Sequence, residues 1–188
     1  LIMAKQPIGK VSVTALGQVR IFAPLEEDQL TTLTEQCSWT RYEATSEILA
    51  QDTPCDEVYF ICSGRVSAKT FSDNGKEITF AELVKGDVFG ELSALDGRPR
   101  SSFVVTLEES LLASLPAKVF NDLLDTHPKV MRALMIELTS RLRQADEKVF
   151  EFSTLNASNR IHAELLRLAS MHPTGGSAVE ITPPPTHA

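Results

Sequence analysis

Cysteine is scarce in this chain, and its three cysteines form no framework. Cys37, Cys55 and Cys62 are odd in number and are not clustered. Small secreted domains that depend on disulfides carry many paired cysteines, so this pattern fits a reducing compartment such as the cytoplasm. We therefore expect the three thiols to be buried and to behave as small apolar side chains.

Long apolar runs are also lacking. A membrane-spanning helix needs about 20 consecutive apolar residues, whereas the apolar runs here are only a few residues long. The opening residues Leu1, Ile2 and Met3 have neither the length nor the small-residue cleavage site of a signal peptide. The sequence therefore predicts no membrane segment and no contact with a membrane.

Basic residues do not outnumber acidic ones. The chain has 18 Lys and Arg against 25 Asp and Glu, which gives a formal net charge of −7. A surface that grips nucleic acid is expected to be basic, because it has to neutralise phosphates. Any contact with DNA would therefore have to come from residues beyond these.

The usual residues of hydrolytic catalysis are not brought together by the sequence. His127, His162, His172 and His187 all follow the β-rich region described next. No nucleophile stands beside a base, and no cluster has the spacing of metal ligands. The sequence predicts a protein that is not an enzyme and that holds no metal.

Residues 39–115 are instead rich in β-strand signals. Short apolar or alternating runs are separated by turn residues at regular intervals, which is typical of an antiparallel sandwich or barrel. Asn74-Gly75 is the strongest hairpin signal, because both residues accept the positive φ angles of a type I′ turn. We predict an α+β fold, with a small antiparallel β-barrel and flanking helices. The predicted strands include residues 58–62, 66–71, 76–83, 88–89, 101–106 and 110–115.

Helices are predicted on both sides of this region. Residues 24–37 open with Pro24 followed by three acidic residues, and negative charge favours a helix N-terminus. Residues 117–124 form a short helix that stops before Pro128, because a proline disfavours helical backbone in the residue that precedes it.

A third, longer helix carries an apolar seam with alternating spacings of four and three residues. Such a helix of about 27 residues would be roughly 40 Å long, which is longer than a small barrel can cover. Part of the seam should therefore face a second copy of the chain, although packing against its own barrel is the alternative interpretation. The seam consists of Met131, Met135, Leu138, Leu142, Ala145, Val149 and Phe152.

The most informative stretch is residues 89–102, with the sequence FGELSALDGRPRSS. Gly90 allows close approach of a ligand, and the helical turn after it would aim free N–H groups at an anion. Arg100 adds a planar charged fork that can hold two phosphate oxygens, while Glu91 needs a donor such as a sugar hydroxyl. A nucleotide would supply both groups. The alternative is a surface turn with an exposed Arg and a Glu that caps a helix.

This stretch resembles the phosphate-binding cassette of cyclic nucleotide-binding domains, in which F-G-E-L is followed several residues later by P-R and small residues. Gly90, Glu91, Pro99, Arg100 and Ser101 match the cassette positions. With the β-rich region and the long helix, the chain resembles the effector half of a Crp/Fnr-type bacterial transcription regulator. The resemblance implies a double-stranded β-helix, or jelly roll, and a cyclic nucleotide as effector.

The resemblance also implies which residues bind the nucleotide. The phosphate would lie against Arg100, Ser101 and the amides after Gly90, and Glu91 would accept from the ribose 2′-hydroxyl. Asp52-Thr53 departs from the family, which more often has a glycine turn at that position. The implied ligand-binding residues are Phe89, Gly90, Glu91, Leu92, Ser93, Arg100, Ser101, Ser102 and Asp146.

Base preference is less clear from the sequence. Cyclic AMP receptors of this family usually offer hydroxyl residues from the long helix, where this chain has Ala145 and Asp146. Asp146 can accept from adenine N6 or pair with guanine, or it can be a solvated helix charge. Arg143 and Gln144 are neighbours that can reach the same place. Cyclic AMP is favoured over cyclic GMP.

Other interpretations remain open. One alternative is a dimerisation module with no ligand or with another ligand, since some Crp/Fnr relatives sense oxygen or haem. Against such a sensor, no cysteine precedes Cys37 and no histidine lies in the barrel region. A domain from a kinase regulatory subunit or a channel is another.

The expected organisation has four parts. Residues 1–23 are an N-terminal segment, 24–127 the nucleotide-binding barrel, 128–156 the dimerisation helix, and 157–188 the start of a truncated helix-turn-helix domain. Residues 156–158 would act as a hinge, and Ser158 would cap the next helix. The resemblance implies a homodimer that reaches DNA through the missing domain and contacts RNA polymerase.

Overall fold

The computed structural model describes residues 5–7, 13–54, 57–72, 75–154 and 165–166. It divides into two compact units, Leu1–Met135 and Ile136–Ala188. Several predictions lie outside the described residues: Cys55, the Asn74 turn residue, the side chain of Phe152, the hinge at 156–158, the cap at Ser158 and the DNA-binding segment from residue 157 apart from residues 165–166.

The first unit contains two antiparallel sheets. One has the strand order β1-β2-β9-β4-β7 and the other the order β3-β8-β5-β6. The first sheet is formed by β1 (Lys5–Pro7), β2 (Ser38–Tyr42), β4 (Glu57–Ser63), β7 (Val88–Phe89) and β9 (Ser110–Pro116). The second is formed by β3 (Glu47–Leu49), β5 (Arg65–Phe71), β6 (Glu77–Val84) and β8 (Phe103–Thr106).

Side chains from both sheets share one apolar core. Period-two alternation along β4 sends Tyr59 and Ile61 into this core. The predicted α+β jelly roll is confirmed, with its strands hydrogen-bonded as two sheets instead of one closed cylinder. The core cluster consists of Tyr42, Leu49, Tyr59, Ile61, Val66, Leu83, Phe89, Val104 and Leu112.

A second apolar layer lies on the other face of β4. Phe60 points away from Tyr59 and contacts Phe22 at a centroid separation of 4.8 Å and Phe120 at 6.0 Å. Phe22 lies in a 3-10 turn, Arg20–Phe22, and Phe120 in α4 (Ala117–Thr126). All three rings are fully buried. The 3-10 turn and α4 are thereby fixed to the back of the first sheet.

The three helices predicted before residue 155 are present, with small shifts of their ends. Besides α1 (Val13–Leu16), the chain forms α2 (Glu27–Gln36), so Pro24 lies before the helix. Glu26 caps α2, and the Gln29 side chain accepts from the Glu26 amide at 2.9 Å. Ser101 and Ser102, predicted to begin a strand, stay in a loop, because β8 begins at Phe103. That loop continues the region of the predicted cassette.

The long helix α5 (Pro128–Thr154) has the 27 residues that the seam predicts. Within the first unit it buries Val130 and Leu134, which are not seam positions. In the second unit, Leu142 and Val149 of the seam are 62% and 65% exposed. No helix among the described residues is long and apolar enough to cross a membrane.

Candidate functional site

Gly90 makes the turn that begins the site. It has φ 77°, in the left-handed region, and it stands between β7 and the short helix α3 (Glu91–Asp96). Most residues with a side chain avoid this backbone conformation, which glycine adopts freely. The first amides of α3 follow this turn and have no preceding helical carbonyl as partner.

Arg100 lies beside this turn and is almost completely buried, with 4% of its surface exposed. Its Nη1 donates to the Gly90 carbonyl at 2.9 Å, and its Nη2 donates to the Glu57 carbonyl at 2.6 Å. Its buried Nε has no acceptor among the described residues. A buried N–H without an acceptor is costly, so this guanidinium is suited to receiving an anion.

The main chain of Arg100 is held as firmly as its side chain. Its amide donates to the Thr53 carbonyl at 2.9 Å, and its carbonyl accepts from the Asp52 amide at 3.0 Å. Asp52 has φ 62°. This backbone angle explains why the family often has glycine where this chain has Asp52, since Asp tolerates the left-handed region better than most residues.

The other cassette residues differ in exposure. Glu91 is 2% exposed and Ser93 is buried, with the Ser93 hydroxyl donating to the Pro99 carbonyl at 3.2 Å. The Asn121 amide of α4 donates to the Ala94 carbonyl at 2.8 Å and ties α3 to its neighbour. Leu92 is exposed, as is Ser101, while Ser102 is half-buried. An exposed hydroxyl at Ser101 beside a buried Arg100 suits a ligand that reaches the site from solvent.

A half-buried carboxylate near Arg100, that of Glu57, was missed by sequence reasoning. The Glu57 side chain accepts the Tyr59 hydroxyl at 2.8 Å and the Ser114 hydroxyl at 2.9 Å. Burial, and then the hydrogen bond to Glu57, raise the pKa of Tyr59 well above its usual value. Tyr59 therefore stays protonated and remains a donor to Glu57. No motif in the sequence could have identified Glu57, which lies 43 residues before Arg100.

The residues predicted to bind phosphate and ribose all lie in the first unit, whereas Asp146 lies in the second. Asp146 and Ala145 are exposed on α5. The role of Asp146 toward a base therefore remains a prediction, as does the pairing of the seam with a second copy.

Two further observations concern the surroundings of the cassette. A groove of about 690 Å³ lies between α2 and α4, but its walls, which include Leu25, Gln29 and Leu123, contain no cassette residue. Among the described residues, no group of three or more His, Cys, Asp or Glu side chains is arranged to hold a metal ion. Within the described residues, the groups at Gly90 and Arg100 are thus the ones suited to binding an anion.

The sequence of residues 39–127 matches the family model for the cyclic nucleotide-binding domain. This part of the chain, which contains the cassette and the strands that position it, is thus similar to cyclic nucleotide-binding domains. The chain is also 27% identical over 168 residues to a CRP-like cAMP-activated global transcriptional regulator of Mycobacterium tuberculosis, covering 89% of this chain and 75% of the relative.

The cAMP-activated global transcriptional regulator CRP of Escherichia coli is 28% identical over 158 residues, which cover 81% of this chain and 75% of the relative. Among solved structures, the catabolite activator protein of Thermus thermophilus matches with a TM-score of 0.64 and 29% identity, covering 81% of this chain and 71% of that one. The resemblance to Crp/Fnr-type regulators that the cassette motif predicts is therefore confirmed.

Proposed function

We propose that this chain is the effector-binding and dimer-forming part of a Crp-type transcription regulator, and that its cassette binds a cyclic nucleotide. The observation that carries this proposal is the buried Arg100 guanidinium beside the Gly90 turn, whose Nε has no acceptor in the part of the chain that the structure describes. The cAMP-activated regulators among its relatives support the same ligand class.

The nucleotide phosphate would bind Arg100, the Ser101 hydroxyl and the amides that open α3. Two donors of Arg100 are already used by carbonyls, so the phosphate would take the remaining ones, and the guanidinium would not have to reorganise. Glu91 would accept from the ribose 2′-hydroxyl. Each such charge-assisted hydrogen bond contributes about 1.5–3 kcal/mol.

Asp146 would recognise the base of the nucleotide, with cyclic AMP favoured over cyclic GMP. An ionised carboxylate only accepts hydrogen bonds, so it can take adenine N6 or the guanine N1 and N2 donors. The exposed position of Asp146 on α5 leaves its oxygens open to a base. Comparison of the two nucleotides tests this assignment directly.

The output of binding would be a shift between two arrangements of α5. A ligand moves such an equilibrium only when it binds one arrangement more tightly than the other. The exposed seam would pair two copies of the chain, and a DNA-binding domain after α5 would then be reoriented for DNA and RNA polymerase. No bond is broken in this scheme, so the protein would act as a receptor and not as an enzyme.

The test is calorimetric titration of the chain with cyclic AMP and, separately, with cyclic GMP. We expect micromolar affinity, about −8 kcal/mol, for at least one of them. Arg100→Leu should abolish the measured heat, and Glu91→Ala should weaken binding at least tenfold. Arg98→Leu is the matched control. It removes the same charge two residues before Arg100, at a side chain that is 84% exposed.

Equal loss in Arg98→Leu and Arg100→Leu would show that net charge alone matters, and would contradict the assigned contact. Absence of heat with both nucleotides would refute the ligand class. In that case analytical ultracentrifugation of the same preparation would show whether dimer formation is the remaining function of the chain.

A further inference from the structure

A small polar cluster lies inside the first sheet next to Arg100. It consists of Glu57, Tyr59 and Ser114, and we refer to it as the Glu57 cluster. Tyr59 and Ser114 are partners in the β4–β9 register, while Glu57 pairs with Pro116 at the end of the same ladder. Its two hydroxyls donate to the two oxygens of one carboxylate, so both oxygens of Glu57 are engaged.

The Glu57 carbonyl is directed toward Arg100 by the geometry of β4. The Ile61 amide donates to the Asp87 carbonyl at 2.9 Å, and the Ile61 carbonyl accepts from the Gly86 amide at 2.8 Å, which places these groups on the β7 side. Backbone groups of alternate residues point to the same neighbour, so the Glu57 carbonyl faces that side too.

The strand β7 ends before it can use this carbonyl. Its last residue, Phe89, pairs with Tyr59, and Gly90 then turns the chain away into α3. Glu57 therefore extends two residues past the end of the ladder, and the Arg100 guanidinium takes the position of the missing strand. Its Nη2 satisfies a carbonyl that would otherwise be left without a donor.

The same cluster also bears on the second carbonyl that holds Arg100. The Tyr59 ring stacks on Phe89 at a centroid separation of 5.2 Å and an interplanar angle of 8°. Phe89 directly precedes Gly90, whose carbonyl accepts from Arg100 Nη1. Glu57 thus acts on one carbonyl through its own backbone, and on the other through the Tyr59 hydroxyl and ring.

We propose that Glu57 is a positioning residue for nucleotide binding: its carboxylate, held by Tyr59 and Ser114, fixes the two carbonyls that orient the Arg100 guanidinium toward the phosphate. This inference rests on the proposed function in one respect, that the oriented ligand is a cyclic nucleotide. Two hydroxyls of the sheet hold the Glu57 carboxylate, so the role proposed for it is to position Arg100 and not to contact the ligand.

Three variants separate this role from a general loss of stability. Glu57→Ala should weaken cyclic nucleotide binding about tenfold, because both carbonyls lose their support. Glu57→Gln should retain most of the wild-type affinity. Its side-chain amide can accept a hydrogen bond from one hydroxyl group and donate one to the oxygen of the other. Glu77→Ala is the control, because it removes an exposed carboxylate that pairs with Lys69 on β5 and should leave affinity unchanged.

A double-mutant cycle with Arg100→Lys is the decisive titration. Lysine keeps the charge but lacks the planar fork that two carbonyls can orient. In the Arg100→Lys background, Glu57→Ala should cost much less than in the wild type. Unchanged affinity in Glu57→Ala, or the same fold loss in both backgrounds, would overturn the positioning role.

A readout without ligand separates this inference from the proposed function. Arg100 is buried, so its Nε–H signal in a ¹⁵N NMR spectrum of the nucleotide-free protein should exchange slowly with water. Glu57→Ala should speed that exchange and Glu57→Gln should not. If the wild type binds neither nucleotide but shows this pattern, the ligand class is wrong and Glu57 still orients Arg100. Equal exchange rates in the wild type, Glu57→Ala and Glu57→Gln would overturn the role of Glu57 regardless of the ligand.

Discussion

Gly90 and Arg100 occupy adjoining space in the cassette, so that a Cβ built on Gly90 would lie 2.6 Å from Arg100 Nη1. It would also lie 3.3 Å from the Glu57 carbonyl oxygen. Glycine is therefore required here for two reasons, the positive φ and the space that the guanidinium fills. The second reason concerns the buried Arg100 guanidinium directly.

Gly90→Ala should consequently lower both stability and ligand affinity. The methyl group would displace the guanidinium, and the left-handed backbone adds strain of about 1 kcal/mol. Gly75→Ala is a matched control, because Gly75 has the same φ of 77° and, its chain neighbours aside, no atom of the described residues lies within 4 Å of a Cβ built on it. Urea denaturation should show a larger loss of unfolding free energy for Gly90→Ala than for Gly75→Ala. Titration with cyclic nucleotide should show weaker binding in Gly90→Ala alone. Equal behaviour of the two variants would mean that backbone strain, and not displacement of Arg100, accounts for the effect.

Asp87 anchors the turn before the cassette, and its replacement should destabilise the first unit. Its buried carboxylate accepts from the Val84 amide at 2.8 Å and pairs with Arg20. Asp87→Ala should cost about 1–3 kcal/mol of unfolding free energy, because the Val84 amide loses its acceptor. Glu109→Ala, which removes an exposed carboxylate paired with Arg41, should cost under about 1 kcal/mol. Equal midpoints of chemical denaturation would contradict the role of Asp87.

The seam of α5 predicts a dimer. One charged side chain introduced into the seam should dissociate it. Leu142 and Val149 of the seam are 62% and 65% exposed in the single chain, and an exposed apolar stripe marks an interaction surface. Leu142→Glu should make the chain monomeric in sedimentation equilibrium without nucleotide. Ser140→Glu introduces the same charge at an exposed position off the seam and should leave the dimer intact. A wild-type chain that is monomeric at every concentration would refute the seam.

Of the three thiols expected to be buried, Cys62 is buried, Cys37 is half-buried and Cys55 lies outside the described residues. The two described thiols should make the protein sensitive to alkali. Burial raises the pKa of Cys62 from 9.0 to about 11, and that of Cys37 from 9.0 to about 12. The folded state therefore holds these protons more tightly than the unfolded state, so stability is fully present below pH 9.0 and falls as pH rises through about 11.

The measurement is the free energy of unfolding of the wild type and Cys62→Ala across that pH range. Between neutral and alkaline pH, the free energy of unfolding of Cys62→Ala should fall by less than that of the wild type, the difference being on the order of 2 kcal/mol. This difference does not depend on the stability of the variant at neutral pH. Parallel curves for the two proteins would mean that Cys62 does not contribute to alkaline unfolding.

The cassette could be predicted from the sequence because its requirements are local. Gly90, Glu91 and Arg100 lie within one short stretch, and each has a chemical role that its residue type reveals. Glu57 could not be predicted in the same way. Its contact with Arg100 is made by a main-chain carbonyl, which every residue type has, and by a strand that ends at a point no motif marks.

The long helix shows a similar limit. Its length follows from the seam and from Pro128, but the buried Val130 and Leu134 lie one position to the side of the seam. Two apolar stripes overlap there, and spacing alone does not tell which one packs on the sheet. The strand bounds at Phe103 and Glu77 likewise depend on pairing partners that lie far away in the chain.

The two carbonyls that hold Arg100 have a consequence for folding. One lies ten residues from Arg100 and the other 43 residues away. A peptide of residues 89–102 would therefore contain the complete motif and still lack the site, because the distant strand supplies half of the support. Competence to bind should appear only when β4 has docked, late among the events of folding. Ligand would then bind only the fully assembled sheet and raise its melting temperature in proportion to the logarithm of ligand excess.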